Sequence, residues 1–260
     1  MNPRSGDGGA EELLAAADRA GVPTHRLRAG DDVVEVARAA DADVLGMAGG
    51  DGSLAAVAGV AIDRGLPFVC VPFGTRNHFA RDLGLDRNDP VAALAAFTTG
   101  REVRVDLGRV NDRPFLNNVS LGVYAGLVHR REHHRHRRDA LARVRALVAV
   151  ARERDRVELS VDGKPLEAHV VLVSNNAYEL DVLSVGARPR LDEGALHLYV
   201  PRGLIRSTWE DRSCSHLTID SSTHRLRAAI DGEPELLETP LEFRVDPLAL
   251  RVLVPTQEGA

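Results

Sequence analysis

The chain has 260 residues, 44% of them hydrophobic, so it can build one large core or two modest ones. Its net charge of −5 excludes general nucleic-acid binding. Two cysteines, Cys70 and Cys214, rule out a disulfide framework and point to a reducing compartment, while no apolar run approaches the ~20 residues of a membrane span. No signal peptide is recognised, and Cys70, within an apolar run, is expected in the core.

The first segment with a chemical signature is Asn2-Pro3-Arg4-Ser5-Gly6, whose composition favours a turn with exposed N–H groups. Helical patterns follow over Glu11 to Ala20 and Asp32 to Ala40, and then Asp43 to Ala48 reads as a buried strand. That strand runs into Gly49-Gly50-Asp51-Gly52-Ser53, after which Leu54 to Arg64 reads as a helix. Three glycines between strand and helix let the backbone approach a bulky anion, with N–H groups at the positive helix end. Asp51 would repel a bare phosphate, so its presence implies a divalent cation between it and the phosphates.

Leu66 to Pro72 is a second strand running into a Gly-containing loop, Phe73-Gly74-Thr75-Arg76, and a helix over Asn77 to Leu83. Thr75 and Asn77 supply neutral hydrogen-bonding groups there, and Arg76 and Arg81 supply charge. Successive strand ends of this kind face one edge of a parallel sheet, where open α/β folds bind ligands. One more helical pattern covers Pro90 to Thr98.

Near residue 107 the alternation stops and strand patterns take over: Arg156 to Val161, Ala168 to Ser174, Ala195 to Val200, Leu217 to Ser221, Leu226 to Ile230, Leu241 to Val245 and Leu250 to Val254. Asp162-Gly163 and Asp231-Gly232 are hairpin-turn signals. The exception is His129 to Arg156, a helical pattern rich in arginine, with Leu141, Val144, Leu147 and Val148 on its apolar stripe. Its cationic face, including Arg137, Arg138, Arg145 and Arg152, suits an anionic membrane surface. The same arginines would repel a metal from His129, His133, His134 and His136.

Taken together, Asn-Pro-x-Ser-Gly at Asn2–Gly6, Gly-Gly-Asp-Gly-Ser at Gly49–Ser53, and Pro-x-Gly-Thr-x-Asn-x-Phe-Ala-Arg at Pro72–Arg81 resemble the bacterial diacylglycerol kinases and related lipid kinases, a group that includes sphingosine kinases. The similarity continues through Val105-Asp106-Leu107-Gly108, Phe115 to Gly122, Arg190 to Leu196 and Ile230-Asp231-Gly232-Glu233. The resemblance implies an α/β N-terminal domain with a parallel sheet (residues 1–107), an all-β sandwich (residues 108–249) and a last strand, within 250–260, returning to the first domain. It implies an active site in the cleft between the two.

The function so implied is transfer of the γ-phosphoryl group of ATP, with Mg2+, to a hydroxyl of diacylglycerol or a related lipid. Glu233 takes the place of the base. Asp51 would hold magnesium through water, and Asp106, read as following a strand, matches a position in the same acidic network. Asn2, Pro3, Arg4, Ser5, Gly6, Gly49, Gly50, Gly52, Ser53, Leu54, Ala55, Thr75 and Asn77 would line the nucleotide site. Asp192 and Glu193 match a structural metal loop, with Glu193 where Asp is usual. The expected partners are the lipid, an anionic membrane surface and a second copy in a homodimer, with no nucleic acid. The expected location is the cytoplasm, peripherally at the inner face of the membrane.

Two departures stand out. His78 occupies a position where the family commonly has Asp, and only Met1 precedes Asn2 where the family carries a buried strand. The second departure leads to the expectation of a sheet short of one strand, or of a start downstream of the true one. The enzyme alternative is a NAD kinase, which shares the Gly-Gly-Asp-Gly loop. The non-enzyme alternative is an inactive nucleotide- or lipid-binding module.

Overall fold

The computed structural model describes residues 1, 9–122, 157–181, 184–201 and 209–256. The Asn2–Gly6 turn and the arginine-rich pattern from His129 to Arg156 lie outside these residues. The chain divides into two compact units. One is Met1–Leu107 with Arg190–Asp192 and Asp246–Ala260, and the other is Gly108–Pro189 with Glu193–Val245.

In the first unit α1 (Ala10–Arg19), α2 (Val33–Ala39), β1 (Leu45–Gly49), α3 (Asp51–Asp63), β2 (Phe68–Pro72) and α4 (His78–Asp82) follow in order. A 3-10 turn at Ala92–Ala95, α5 (Ala96–Thr99) and the start of β3 (Gly100–Val110) complete its N-terminal part. α2 starts where it does because the Asp32 carboxylate accepts the N–H groups of Val34 and Glu35. β1 and β2 are parallel, in register from Leu45 opposite Phe68 to Gly49 opposite Pro72. On the other side of β2 lies the later part of β16 (Leu241–Pro255), also parallel, with Val252 opposite Phe68. All five residues of β2 are buried, as the middle strand of a covered parallel sheet requires. Val69 and Val71 of β2 share a core with Leu13, Ala16 and Ala17 of α1 and Leu94 of the 3-10 turn.

In the second unit the strands are the end of β3, β4 (Arg113–Phe115), β5 (Asn118–Gly122), β6 (Val157–Val161), β7 (Lys164–Ala168) and β8 (Val170–Asn175). They continue with β9 (Leu180–Asp181), β10 (Ser184–Val185), β11 (Leu196–Pro201), β12 (Trp209–Cys214), β13 (His216–Ser221), β14 (Arg225–Ile230), β15 (Glu233–Glu238) and the start of β16. One antiparallel sheet has the order β12-β11-β8-β5-β14-β15, and the start of β16 with β13, β6 and β7 forms a second layer. Val119, Val173 and Leu196 of the first layer share one core with Leu217, Ile219 and Phe243 of the second, which makes this unit a sandwich. Asp162-Gly163 and Asp231-Gly232 close two-residue hairpins with φ of 50° and 75°, and 49° and 84°. Positive φ at both turn residues is the geometry that Asp-Gly favours.

The presence of an α/β unit and an all-β antiparallel unit agrees with the expected fold class. Three details differ. α3 begins at Asp51 rather than Leu54, because Gly50 takes the extended conformation of a helix N-cap and the polar first turn carries no apolar period to reveal it. Leu241 to Pro255 is one strand, not two. Asp106 sits inside β3 rather than after a strand. Several strands had no sequence signal, and β12 and β15 show why. They are the two edges of the six-stranded sheet, so Trp-Glu-Asp-Arg-Ser-Cys and Glu-Pro-Glu-Leu-Leu-Glu need no apolar alternation on both flanks.

Candidate functional site

Because β1 and β2 are parallel and end level, the loops after them leave from the same edge of the first unit. The Phe73 N–H donates to the Gly49 carbonyl at 3.3 Å, extending the ladder one rung beyond Pro72. Past that rung Gly50 and Gly74 meet backbone against backbone. A Cβ on Gly74 would lie 2.5 Å from the Gly50 Cα and 3.0 Å from its nitrogen. A Cβ on Gly49 would stand 3.0 Å from the Met47 Cε and 3.1 Å from the Ser53 Cβ. Gly74 is required by space, so Gly74→Ala is expected to force the loops apart. Overpacking of this kind costs about 1–3 kcal/mol. A urea melt of Gly74→Ala indistinguishable from wild type would show that the loops can spread freely.

Asp51 is the first residue of α3 and is only 6% exposed. Its carboxylate turns to the other loop: Oδ2 accepts the His78 N–H and Oδ1 the Phe79 N–H, each at 3.1 Å. α4 has no side-chain cap from its own neighbours, so Asp51 caps it from 27 residues upstream. Asn77, buried and at φ 48°, folds its amide onto Gly74. Its Oδ1 accepts the Gly74 N–H at 2.9 Å and its Nδ2 donates to the Gly74 carbonyl at 2.8 Å. Both side chains therefore hold the two loops in shape. The N-cap of α3 is Gly50, which has no side chain to cap the helix. A 13-residue helix places its positive end there, beside Gly50 and Gly74, and such an end attracts anions.

Gly52 and Ser53 are half-buried at this helix end, and Thr75 is exposed on the facing loop. Leu54 and Ala55, expected to line the nucleotide site, are instead core residues, and the Leu54 N–H is taken by the Gly50 carbonyl. Helical periodicity carries them inward once α3 starts at Asp51.

His78, at the start of α4, is half-buried. Burial pushes its pKa below the ordinary 6.5; Asp51 opposes this, Arg81 and Arg76 add to it, and Asp82 opposes it. The imidazole is therefore neutral at pH 7, and His78 brings no positive charge to the loop. A histidine whose folded pKa is depressed gives stability that is complete above its unfolded pKa and lost as pH falls through the folded one. Wild type is thus expected to lose stability relative to His78→Gln as pH falls below 6.5. Parallel urea melts at pH 5 and pH 7.5 check this; equal pH dependence in the two proteins would contradict it.

The other expected metal residues do not converge. Asp106 is 1% exposed, and its Oδ1 accepts the Leu248 N–H at 2.8 Å. Asp192 accepts from the Arg190 Nε at 3.0 Å, whereas Glu193 accepts the Ala177 N–H at 2.9 Å and lies 3.4 Å from the His197 Nε2. Asp192 and Glu193 thus serve separate partners, and their pattern does not fit a shared metal. Among the described residues no group of three or more His, Cys, Asp or Glu is arranged to hold an ion. Of these residues Asp51 is the one that would hold a magnesium ion, since Mg2+ commonly takes only one or two carboxylates.

Glu233 is the first residue of β15, exposed, and opposite Ile230 across the Asp231-Gly232 turn. Two neighbours in the second unit were missed in the sequence. The Asp231 carboxylate accepts three backbone N–H groups, and Arg188 is 2% exposed among carbonyls. Asp-Gly had already marked the turn and masked the second role of Asp231. Nothing around Arg188 in Gly-Ala-Arg-Pro marks it as buried.

Comparison with known proteins bears on this arrangement. Residues 1–110 match the family model described as the diacylglycerol kinase catalytic domain. A diacylglycerol kinase from Staphylococcus carnosus is 37% identical over 118 residues, covering 43% of this chain and 38% of the relative. An uncharacterised protein from Synechocystis is 24% identical over 238 residues, covering 81% of this chain and 54% of that protein. The chain therefore spans about half, or less, of the length of these curated relatives. Among solved structures, a diacylglycerol kinase from Bacillus anthracis superposes with a TM-score of 0.71 at 19% identity, covering 97% of this chain and 94% of that one. At that identity the likeness concerns the fold.

Proposed function

We propose, from the premise that residues 1–110 belong to the diacylglycerol kinase catalytic-domain family, that the chain is a lipid kinase using ATP to phosphorylate a hydroxyl of diacylglycerol or a related lipid. The observation that carries this reading is the apposition of Gly50 and Gly74 beside the uncapped start of α3. Two loops pressed together without side chains leave the positive end of α3 as the surface offered to phosphate oxygens.

In this reading the polyphosphate lies against the start of α3, with Gly52, Ser53 and Thr75 as hydrogen-bonding neighbours. The Asp51 carboxylate keeps the second loop in place through α4 and would hold magnesium by way of water. Magnesium, when bound, neutralises charge on the phosphate oxygens. A lipid hydroxyl is a weak nucleophile, and Glu233 takes its proton as the oxygen bonds to the γ-phosphorus and the bond to the β,γ-bridging oxygen breaks. Among the described residues no helix is long and apolar enough to cross a membrane. The proposal therefore assigns peripheral contact with anionic lipid, at the inner face of the cell membrane, to the arginine-rich residues 129–156, which lie outside the described structure.

The test is transfer of radiolabel from [γ-32P]ATP to diacylglycerol, to a bacterial total-lipid extract and, in parallel, to NAD, with products identified by mass spectrometry. Label in a lipid phosphate supports the reading. Label in NADP alone would replace it with a NAD kinase. Magnesium-dependent ATP binding without transfer to any acceptor would replace it with a binding module.

A further inference from the structure

The segment Leu116–Asn118, which leads from β4 into the first residue of β5, has each of its main-chain polar groups held from the side. The Asp231 Oδ2 accepts the Leu116 N–H at 2.8 Å, and Oδ1 accepts those of Asn117 and Asn118 at 2.7 and 3.1 Å. Three successive N–H groups around one carboxylate form an anion nest filled by the protein itself. The Asp231 N–H returns the contact, donating to the Asn118 carbonyl at 2.9 Å.

The carbonyl side of the same segment faces a cation. Arg188 Nη1 donates to the Leu116 carbonyl at 2.5 Å and to the Asn175 carbonyl at 3.0 Å, and Nη2 donates to the Asn117 Oδ1 at 2.7 Å. Its guanidinium also lies 5.7 Å from the centre of the Tyr178 ring. The Asn117 carbonyl accepts the Asn175 N–H at 2.9 Å. Among the described residues the Asn117 Nδ2 has no hydrogen-bond partner, so its amide is oriented by the charge of Arg188 at the expense of its own donor.

An anion and a cation thus grip one peptide segment from opposite sides, each satisfied by peptide dipoles of one sign. Asp231 is also the first residue of the turn that presents Glu233, and it sits at φ 49°. We propose that Asp231 and Arg188 are positioning residues for Glu233: the brace across Leu116–Asn118 fixes where the Asp231-Gly232 turn stands, and so where the carboxylate of Glu233 is carried. The proposal rests on Glu233 being the base. A hairpin tip held only by its two strands would sway, whereas a small misplacement of a reacting group can cost ~100-fold in rate.

The experiment compares Asp231→Asn, Arg188→Lys, Glu233→Gln and the double variant Glu233→Gln/Asp231→Asn in the lipid phosphorylation assay. Folding is checked by circular dichroism. Asparagine tolerates positive φ, so Asp231→Asn keeps the turn while losing the carboxylate. Asp231→Asn and Arg188→Lys are each expected to lower kcat by ~10-fold or more with the KM for ATP within about twofold, because positioning serves the transition state. The double variant is expected to be no slower than Glu233→Gln alone, since a misplaced base that is already gone cannot be lost again. Independent multiplication of the two losses would reduce the brace to a fold element, as would normal kcat in a folded Asp231→Asn. If Asp231→Asn does not fold, Arg188→Lys decides in the same way from the other side of the segment. Normal turnover in Glu233→Gln would overturn the base assignment and this proposal with it. A slow Glu233→Gln beside normal positioning variants would overturn this proposal alone.

Discussion

Glu233→Gln is expected to reduce lipid phosphorylation at least ~100-fold and leave ATP affinity unchanged, since general-base catalysis is typically worth 10²–10⁴-fold. Glu233 is exposed at the head of β15, directly after a tight turn, so the substitution removes a proton acceptor without opening a core. A loss of rate therefore reports chemistry rather than folding. Equilibrium ATP binding and steady-state turnover of the folded variant separate the two quantities. Near-normal turnover would take Glu233 out of the mechanism.

Asp51→Asn is expected to abolish measurable turnover, raise the magnesium concentration needed for ATP binding and lower stability together. The carboxylate accepts two N–H groups at the start of α4, and an amide keeps one acceptor oxygen while turning a donor toward the other N–H. Loss of a helix cap is worth about 0.5–2 kcal/mol. The magnesium effect comes from the charge instead, because a neutral amide attracts a divalent cation far less. Urea melts and ATP titrations at several magnesium concentrations keep these contributions apart. A destabilised variant with unaltered magnesium dependence would leave Asp51 as a helix cap and nothing more.

Much of the first unit was legible in the chain because its signals are local. Two apolar runs each followed by a glycine loop and a helical period gave β1, β2, α3 and α4, and the two Asp-Gly pairs gave two hairpins. The match of residues 1–110 to the diacylglycerol kinase catalytic-domain model was legible for the same reason: glycines that permit close backbone approach cannot be exchanged for larger residues, so they stand out in order.

What the tertiary structure alone decided is how those motifs spend their side chains. Asp51 and Asn77 read as ligand-binding residues, and both are engaged in holding the loops: Asn77 within its own loop, and Asp51 across 27 residues, a contact that no local pattern encodes. Leu54 and Ala55 turn inward because α3 starts one turn early. Asp192 and Glu193 are adjacent in sequence, and the resemblance placed both at one metal loop, yet they answer to different partners. Arg188 and Asp231 meet on Leu116–Asn118 only after β5, β8 and β14 pair within the antiparallel sheet. Composition and periodicity report burial averaged along an element. The partner of each polar group depends on non-local pairing, and here that pairing turns an Asp-Gly turn into a brace behind Glu233.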